Sequence, residues 1–211
     1  MDRRAFLGLA SGVRPAVADQ ALDVQILQTA ASVEHAIIGA YEILLGLPIL
    51  AGASANPLLR TLITTARAQH TEHAAAYNDV AAALGGRAQT AANPALAQTV
   101  ARARPSLTDI GPAIDLALEL EQAAAQTFQF DLGLLADVNA RRLTGSVLAA
   151  ESQHVGLLHL AKTFVAARAL DLVSLAAGTL DRLPTDSVRT GFPEPFSPVD
   201  LARPAAEGAI R

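Results

Sequence analysis

Six side chains able to bind metal ions or move protons recur at helical spacing in this 211-residue chain: Glu34, His70, His73, Glu121, Glu151 and His154. Glu151 with His154, and His70 with His73, are i, i+3 pairs, so on a helix each pair projects to one side and offers two ligands to a shared interior point. All six fall on stripes of apolar residues. The first stripe reads Leu27, Ala31, Glu34, Ile38, Tyr41, Leu45, and the second Leu59, Ile63, Ala66, His70, His73, Tyr77, Val80, Leu84. The third is Ile110, Ile114, Leu118, Glu121, Ala125, Phe128, Leu132, Leu135, and the fourth includes Val147, Glu151, His154, Leu158, Ala161, Val165. A carboxylate buried without a partner costs several kcal/mol, and three facing one another repel or shift in pKa. No Lys or Arg lies on the stripes at that level. The cation between the carboxylates is therefore either protonated histidine or bound metal. With no cysteine in the chain, disulfides and thiolate catalysis are excluded, and a metal would be held by His and carboxylate.

The elements that must position these groups are four long apolar-periodic segments near 20–46, 57–84, 107–137 and 139–168. Pro48 follows the first, Asn56-Pro57 opens the second and Gly85-Gly86 closes it. Pro105-Ser106 precedes the third, which Pro112 either starts or kinks, and Asn139 is placed to cap the fourth. Tyr41 and Phe128 read as core aromatics, and a buried Tyr41 or Tyr77 phenol must find a partner. His35, Glu42, Glu72, Glu119 and His159 fall off the stripes and are expected to be solvated or to support the ligands from outside. The composition agrees with helices: 51% of residues are hydrophobic but only 4% aromatic, which argues against an all-β fold. Sixteen basic residues, scattered against twenty acidic, give a net charge of -4, and no nucleic-acid partner is expected from that balance.

Residues 1–18, MDRRAFLGLASGVRPAVA, have a charged start, a short apolar run from Ala5 to Val13 and a small-x-small pair at Ala16 and Ala18, the layout of a signal peptide. Arg3-Arg4-Ala5-Phe6-Leu7 resembles the twin-arginine export signal, although Asp2 and Gly8 replace its more usual neighbours. The run is too short to span a bilayer, and the expectation is an exported protein (periplasm, cell envelope or secreted) with no transmembrane helix in the mature chain. After Arg168 the character changes again. Leu183-Pro184, Gly191-Phe192-Pro193, Pro195-Phe196-Ser197-Pro198 and Arg203-Pro204 interrupt regular structure, so 169–211 is expected to be an irregular Pro-rich tail, with Phe192 and Phe196 pinning it to the bundle.

Val33-Glu34-His35-Ala36, followed by Tyr41 and Leu45-Gly46, has a counterpart at the same offsets in Leu120-Glu121-Gln122-Ala123, Phe128 and Leu132-Gly133. His70-x-x-His73 pairs likewise with Glu151-x-x-His154. The chain thus reads as all-α: residues 19–168 form two helical hairpins joined by a long crossover around 86–105. Over about residues 22–168 it resembles the ferritin-like superfamily, in particular the bacterial ferritin-like domains grouped with desiccation-related proteins. The resemblance implies a four-helix bundle whose first and third helices each give a Glu, and whose second and fourth each give Glu-x-x-His, to bind two iron or manganese ions. By position, Glu34, Glu121, Glu151 and His154 match ligand places and His73 matches the histidine of the second helix, but His70 stands where the pattern has Glu.

That exchange converts four carboxylates and two histidines into three of each, removing one potential bridging carboxylate. Several outcomes stay open: two ions with added water or hydroxide, one ion, a more imidazole-tolerant ion such as zinc, or a metal-free polar layer. Glu72 would restore the standard set only if the second helix turned by nearly a third of a turn, carrying Tyr77 and Val80 out of the core. The resemblance implies metal-dependent redox or peroxide chemistry. The reading from a different class is a non-catalytic bundle for metal storage or partner interaction, with the polar layer setting helix register. A homodimer is open to either, and the tail gives no reason to expect a storage shell.

Overall fold

The computed structural model describes residues 20–52, 57–169 and 199–210. The signal-like segment 1–18, Asn56, and the tail aromatics Phe192 and Phe196 lie outside the described residues. Those described are helical or irregular, with no strand. The helices are α1 (Gln20–Leu45), α2 (Pro48–Ala51), α3 (Pro57–Ala83), α4 (Pro94–Ala103), α5 (Ile110–Asp131) and α6 (Val138–Ala166), with a 3₁₀ turn at Arg104–Ser106. None is long and apolar enough to cross a membrane.

α1 packs along α3, and α5 along α6. Gln20 at the start of α1 bonds the Leu84 carbonyl beyond the end of α3, while Glu34 and His70 meet at mid-length; the first hairpin is therefore antiparallel. The second is antiparallel as well, since Lys162 reaches Asp115 at 2.7 Å and Leu132 faces Gly145. His70 meets Glu121, and seven residues further along both helices Tyr77 meets Phe128, with ring centroids 5.4 Å apart. Equal offsets in the same direction mean that α3 and α5 run parallel. The link between them must therefore return the length of α3, 27 residues or about 40 Å at 1.5 Å per residue.

Helix ends follow from local chemistry. α3 ends at Ala83 and the chain turns at Gly85, whose φ of +82° is open to glycine at little cost, while the bonds from Gly86 N to Ala81 O and from Gly85 N to Ala82 O close the helix's last carbonyls. Pro112 does not kink α5, because Asp109 caps the helix at Ile110 and the proline falls in the first turn, where its missing N–H is not needed. Two expectations are corrected. α5 ends at Asp131 rather than near 137, and α6 is capped by Asp137, whose side chain accepts from the N–H groups of Asn139 and Ala140, so Asn139 is itself helical. The crossover is also more ordered than a plain connection. Asn93 caps α4 by accepting from Ala95 N and Leu96 N, and Leu96 and Val100 bury against the bundle.

The described end of the tail, 199–210, docks on α1 beside the crossover. Thr29 Oγ1 donates to the Ala205 carbonyl at 2.6 Å, Gly208 N donates to Thr29 Oγ1, and Gln89 Nε2 donates to the Gly208 carbonyl. Glu207 pairs with Arg203 and accepts from Asn93 Nδ2 at 2.8 Å. Arg203 N and Leu201 N reach Thr127 and Gln126 of α5. The tail therefore packs on its own chain through Ala205 and Gly208. A Cβ on Gly208 would overlap Ser32 Oγ and lie 2.9 Å from Thr29 Cα. Gly208→Ala should undock this strap, lowering thermal stability by about 1–3 kcal/mol and opening the C-terminus to proteolysis; an unchanged melting point and unchanged cleavage would contradict the docking.

At the C-terminal end of α5, Asp131 is fully buried and neither carboxylate oxygen has a hydrogen-bond partner. Desolvation raises its pKa to about 8. The unfolded chain ionises this group near pH 4 while the folded chain keeps it protonated to about pH 8, so its penalty on folding grows with pH across that window and then levels off. Asp131→Asn should match the parent near pH 4 and exceed its stability by roughly a few kcal/mol at pH 8; urea unfolding at both pH values is the check.

Candidate metal centre

The four long helices carry the six side chains to one level: Glu34 on α1, His70 and His73 on α3, Glu121 on α5, Glu151 and His154 on α6. Glu34, His70, Glu121 and Glu151 are wholly buried, whereas the side chains of His73 and His154 are 16% and 8% exposed. Solvent thus approaches along the seam between α3 and α6.

His70 is the hub. Its Nδ1 lies 2.5 Å from Glu34 Oε2 and 3.6 Å from Glu151 Oε1, and its Nε2 lies 3.0 Å from Glu121 Oε1. His73 Nδ1 is 2.9 Å from Glu151 Oε1 and 3.5 Å from Glu34 Oε1, without the alignment of a hydrogen bond. His154 Nδ1 is 3.2 Å from Glu151 Oε2 and 3.3 Å from Glu121 Oε2. Its Nε2 is 2.7 Å from Gln69 Oε1. An amide oxygen only accepts, so Nε2 carries the proton there, and in the neutral ring the Nδ1 lone pair faces the carboxylates. Tyr41 donates its hydroxyl proton to Glu121 Oε1.

Burial opposes charging the histidines, but the carboxylates outweigh it. Despite desolvation, Glu121, Glu34 and Glu151 hold His70 well above the ordinary imidazole range. His73 rises to about 9 beside Glu151 and Glu34, and His154 rises to about 9 beside Glu121 and Glu151. Glu121, although desolvated, is drawn well below the carboxylate range by His70 and His154. Glu151 moves the other way, to about 7, because burial and the charges of Glu34 and Glu121 oppose its ionisation.

These residues fit a bound cation. Glu34 Oε1, His73 Nδ1 and Glu151 Oε1 are buried without hydrogen-bond partners, an expensive condition in a low-dielectric interior, and the His73 nitrogen lies 2.9 Å from the Glu151 oxygen and 3.5 Å from the Glu34 oxygen. Two groups have ligand atoms close enough to hold an ion: Glu34, His70, His73 and Glu151, and His70, Glu121, Glu151 and His154. All six side chains singled out from the sequence are thereby brought together.

The residues read as lying off the stripes stay outside. Glu72 and Glu119 are exposed, Glu42 pairs with Arg67 on the surface, His35 bonds the Gln89 carbonyl and His159 meets Gln122. Gln69 was not legible, because it sits on an exposed position and only its side-chain reach connects it to His154. Tyr41 was legible as a core aromatic whose phenol needs a partner, though not as a partner of Glu121.

Two antiparallel helical hairpins with α3 and α5 parallel, closed around a His/Glu cluster, define a four-helix bundle whose interior is able to hold metal. The sequence profile of the ferritin-like domain matches residues 22–163, and the chain belongs to that family. Neither the curated proteins nor the solved structures searched gave a match.

With no metal bound, protonated histidines neutralise the carboxylates. His73 and His154 go from 6.5 to about 9, so their stabilisation is complete below about pH 6.5 and is lost as pH rises through about 9. Chelator-treated protein should lose roughly a few kcal/mol over that interval, while protein loaded with zinc should lose less, since metal takes the protons' place. Equal pH slopes for the two forms would show that no metal binds among these residues.

Proposed function

We propose that this chain is an exported ferritin-like metalloprotein that holds iron or manganese among Glu34, His70, His73, Glu121, Glu151 and His154, and that it carries out metal-dependent redox or peroxide chemistry. The observation that carries the reading is the buried trio of close-set atoms on Glu34, His73 and Glu151 that make no aligned hydrogen bond, which a cation would satisfy together. Bound iron or manganese would supply one-electron exchange with an oxygen-derived oxidant. The chain's own part is to hold and move protons. Without metal Glu151 titrates at about 7, so it would give up its proton to solvent as a cation binds. Tyr41 presents a hydroxyl proton to Glu121, and both side chains are wholly buried. Gln69 fixes the ring of His154 from the solvent side, and the Tyr77–Phe128 pair seals the interior one heptad away. The start of the sequence, with its paired arginines, is the support for export.

One observation favours a second reading, a non-catalytic bundle for metal storage or partner binding. Protonated His70, bonded to both Glu34 and Glu121, already balances part of the negative charge and would set helix register without any metal. Elemental analysis of protein purified from its native export route separates the two. Iron or manganese should be present and should fall at least about tenfold in His154→Ala. The double variant Glu151→Leu, His154→Leu should lose metal entirely. Metal-free protein that stays empty after incubation with iron, manganese and zinc, together with a double variant more stable than the parent, would establish the register reading instead.

A further inference from the structure

His70 occupies the place where the family pattern has a carboxylate, and its ring points a nitrogen at each half of the site. On the Nδ1 side stand Glu34 Oε2 at 2.5 Å and Glu151 Oε1 at 3.6 Å, with His73 Nδ1 2.9 Å from the same Glu151 oxygen. On the Nε2 side stands Glu121 Oε1 at 3.0 Å, and His154 Nδ1 lies within 3.3 Å of Glu121 Oε2 and Glu151 Oε2. Each side therefore has its own glutamate and its own second histidine. Glu151 divides itself between them, giving Oε1 to one side and Oε2 to the other. The two ion-sized ligand groups share His70 and Glu151 and no other residue.

We infer that His70 is a bridging ligand: the centre takes two divalent ions, one on each ring nitrogen, with Glu151 as the second bridge, in place of the carboxylate bridge that the family pattern would put there. The inference rests on the metal-binding reading above and deepens it.

Two physical considerations separate this from a single ion on one nitrogen. A histidine bound through one nitrogen commonly donates its other N–H to a carboxylate, a backbone carbonyl or water outside the ligand set, but here Glu34 and Glu121 each belong to a ligand group that already contains a further histidine. The second consideration is charge. Three carboxylates carry three negative charges, and an imidazole bound through both nitrogens has lost its remaining ring proton to solvent and carries a fourth. Two divalent ions are then neutralised as fully as by a four-carboxylate set, which suits a centre from which water is largely excluded. The exchange of Glu for His thus preserves the charge of the buried site while changing the link between the ions. The ligand set also becomes richer in imidazole, favouring zinc, copper or nickel over manganese relative to an all-carboxylate bridge.

The test is crystallographic, with the full chain and zinc as a redox-silent probe located by its anomalous scattering. Wild type should show two zinc peaks, one beyond each ring nitrogen of His70, separated by more than the ~4 Å usual for close paired metal sites. His70→Glu should bring the two peaks closer together, and His70→Ala should weaken the second equivalent at least about tenfold in calorimetric titration. A single peak in wild type, or two peaks on one side of the ring, would overturn the bridge while leaving a metal protein. No zinc in folded wild type would overturn the metal reading and the bridge with it. Since the wild-type peak positions decide the matter alone, a variant that fails to fold does not blunt the test.

Discussion

Three carboxylates in a dry helical interior impose the condition that the rest of this structure meets. Ionised carboxylates held a few ångströms apart cannot remain in the core without positive charge between them, and the chain supplies it from histidines on two different helices. For the groups to meet, all four long helices must present their middles at one level, which fixes the register of both hairpins and the parallel course of α3 and α5. Leucines in the same places would pack at least as favourably. The polar layer is therefore an expense that the apolar shell around it must offset, and the chain meets that expense with interlocking Ala, Ile and Leu and a buried Tyr–Phe pair.

The four helices and all six central side chains were legible because an apolar stripe repeating every three to four residues leaves a conspicuous gap where Glu or His interrupts it. What escaped depended on contacts without a sequence period. α4 has ten residues and only two that are buried, too few for a stripe, and its capping Asn93 looks like any loop asparagine until the chain folds against Ser32 and Glu207. The last turn assigned to the third helix failed because Leu132 and Leu135 keep the period while the backbone leaves the helix at Asp131. Gln69 escaped because a long polar side chain on an exposed position has no reason, from neighbours in sequence, to reach across to another helix.

The repeat between the halves is kept in the backbone and relaxed in the side chains. Glu34 and Glu121 are equivalent by sequence and both face His70, yet Glu121 also accepts from Tyr41 whereas the second half has Phe128 at the matching offset and no hydroxyl to return to Glu34. One half holds two histidines on its second helix and the other a glutamate and a histidine. The two sides of the centre consequently differ in hydrogen-bond supply, and His73 and His154 are nearer to solvent than any of the three carboxylates.

The strap at 199–210 has a consequence set by the order of synthesis. The four long helices are complete once Ala166 has been made, but Gln28, Thr29 and Ser32 of α1 gain their tail partners only when residues 205–210 follow. Docking can therefore only follow synthesis of all four helices, and it fastens α1, the crossover and α5 to one another. The six central side chains and this fastening are thus separate along the chain, and loss of 199–210 would leave the first intact while removing the second.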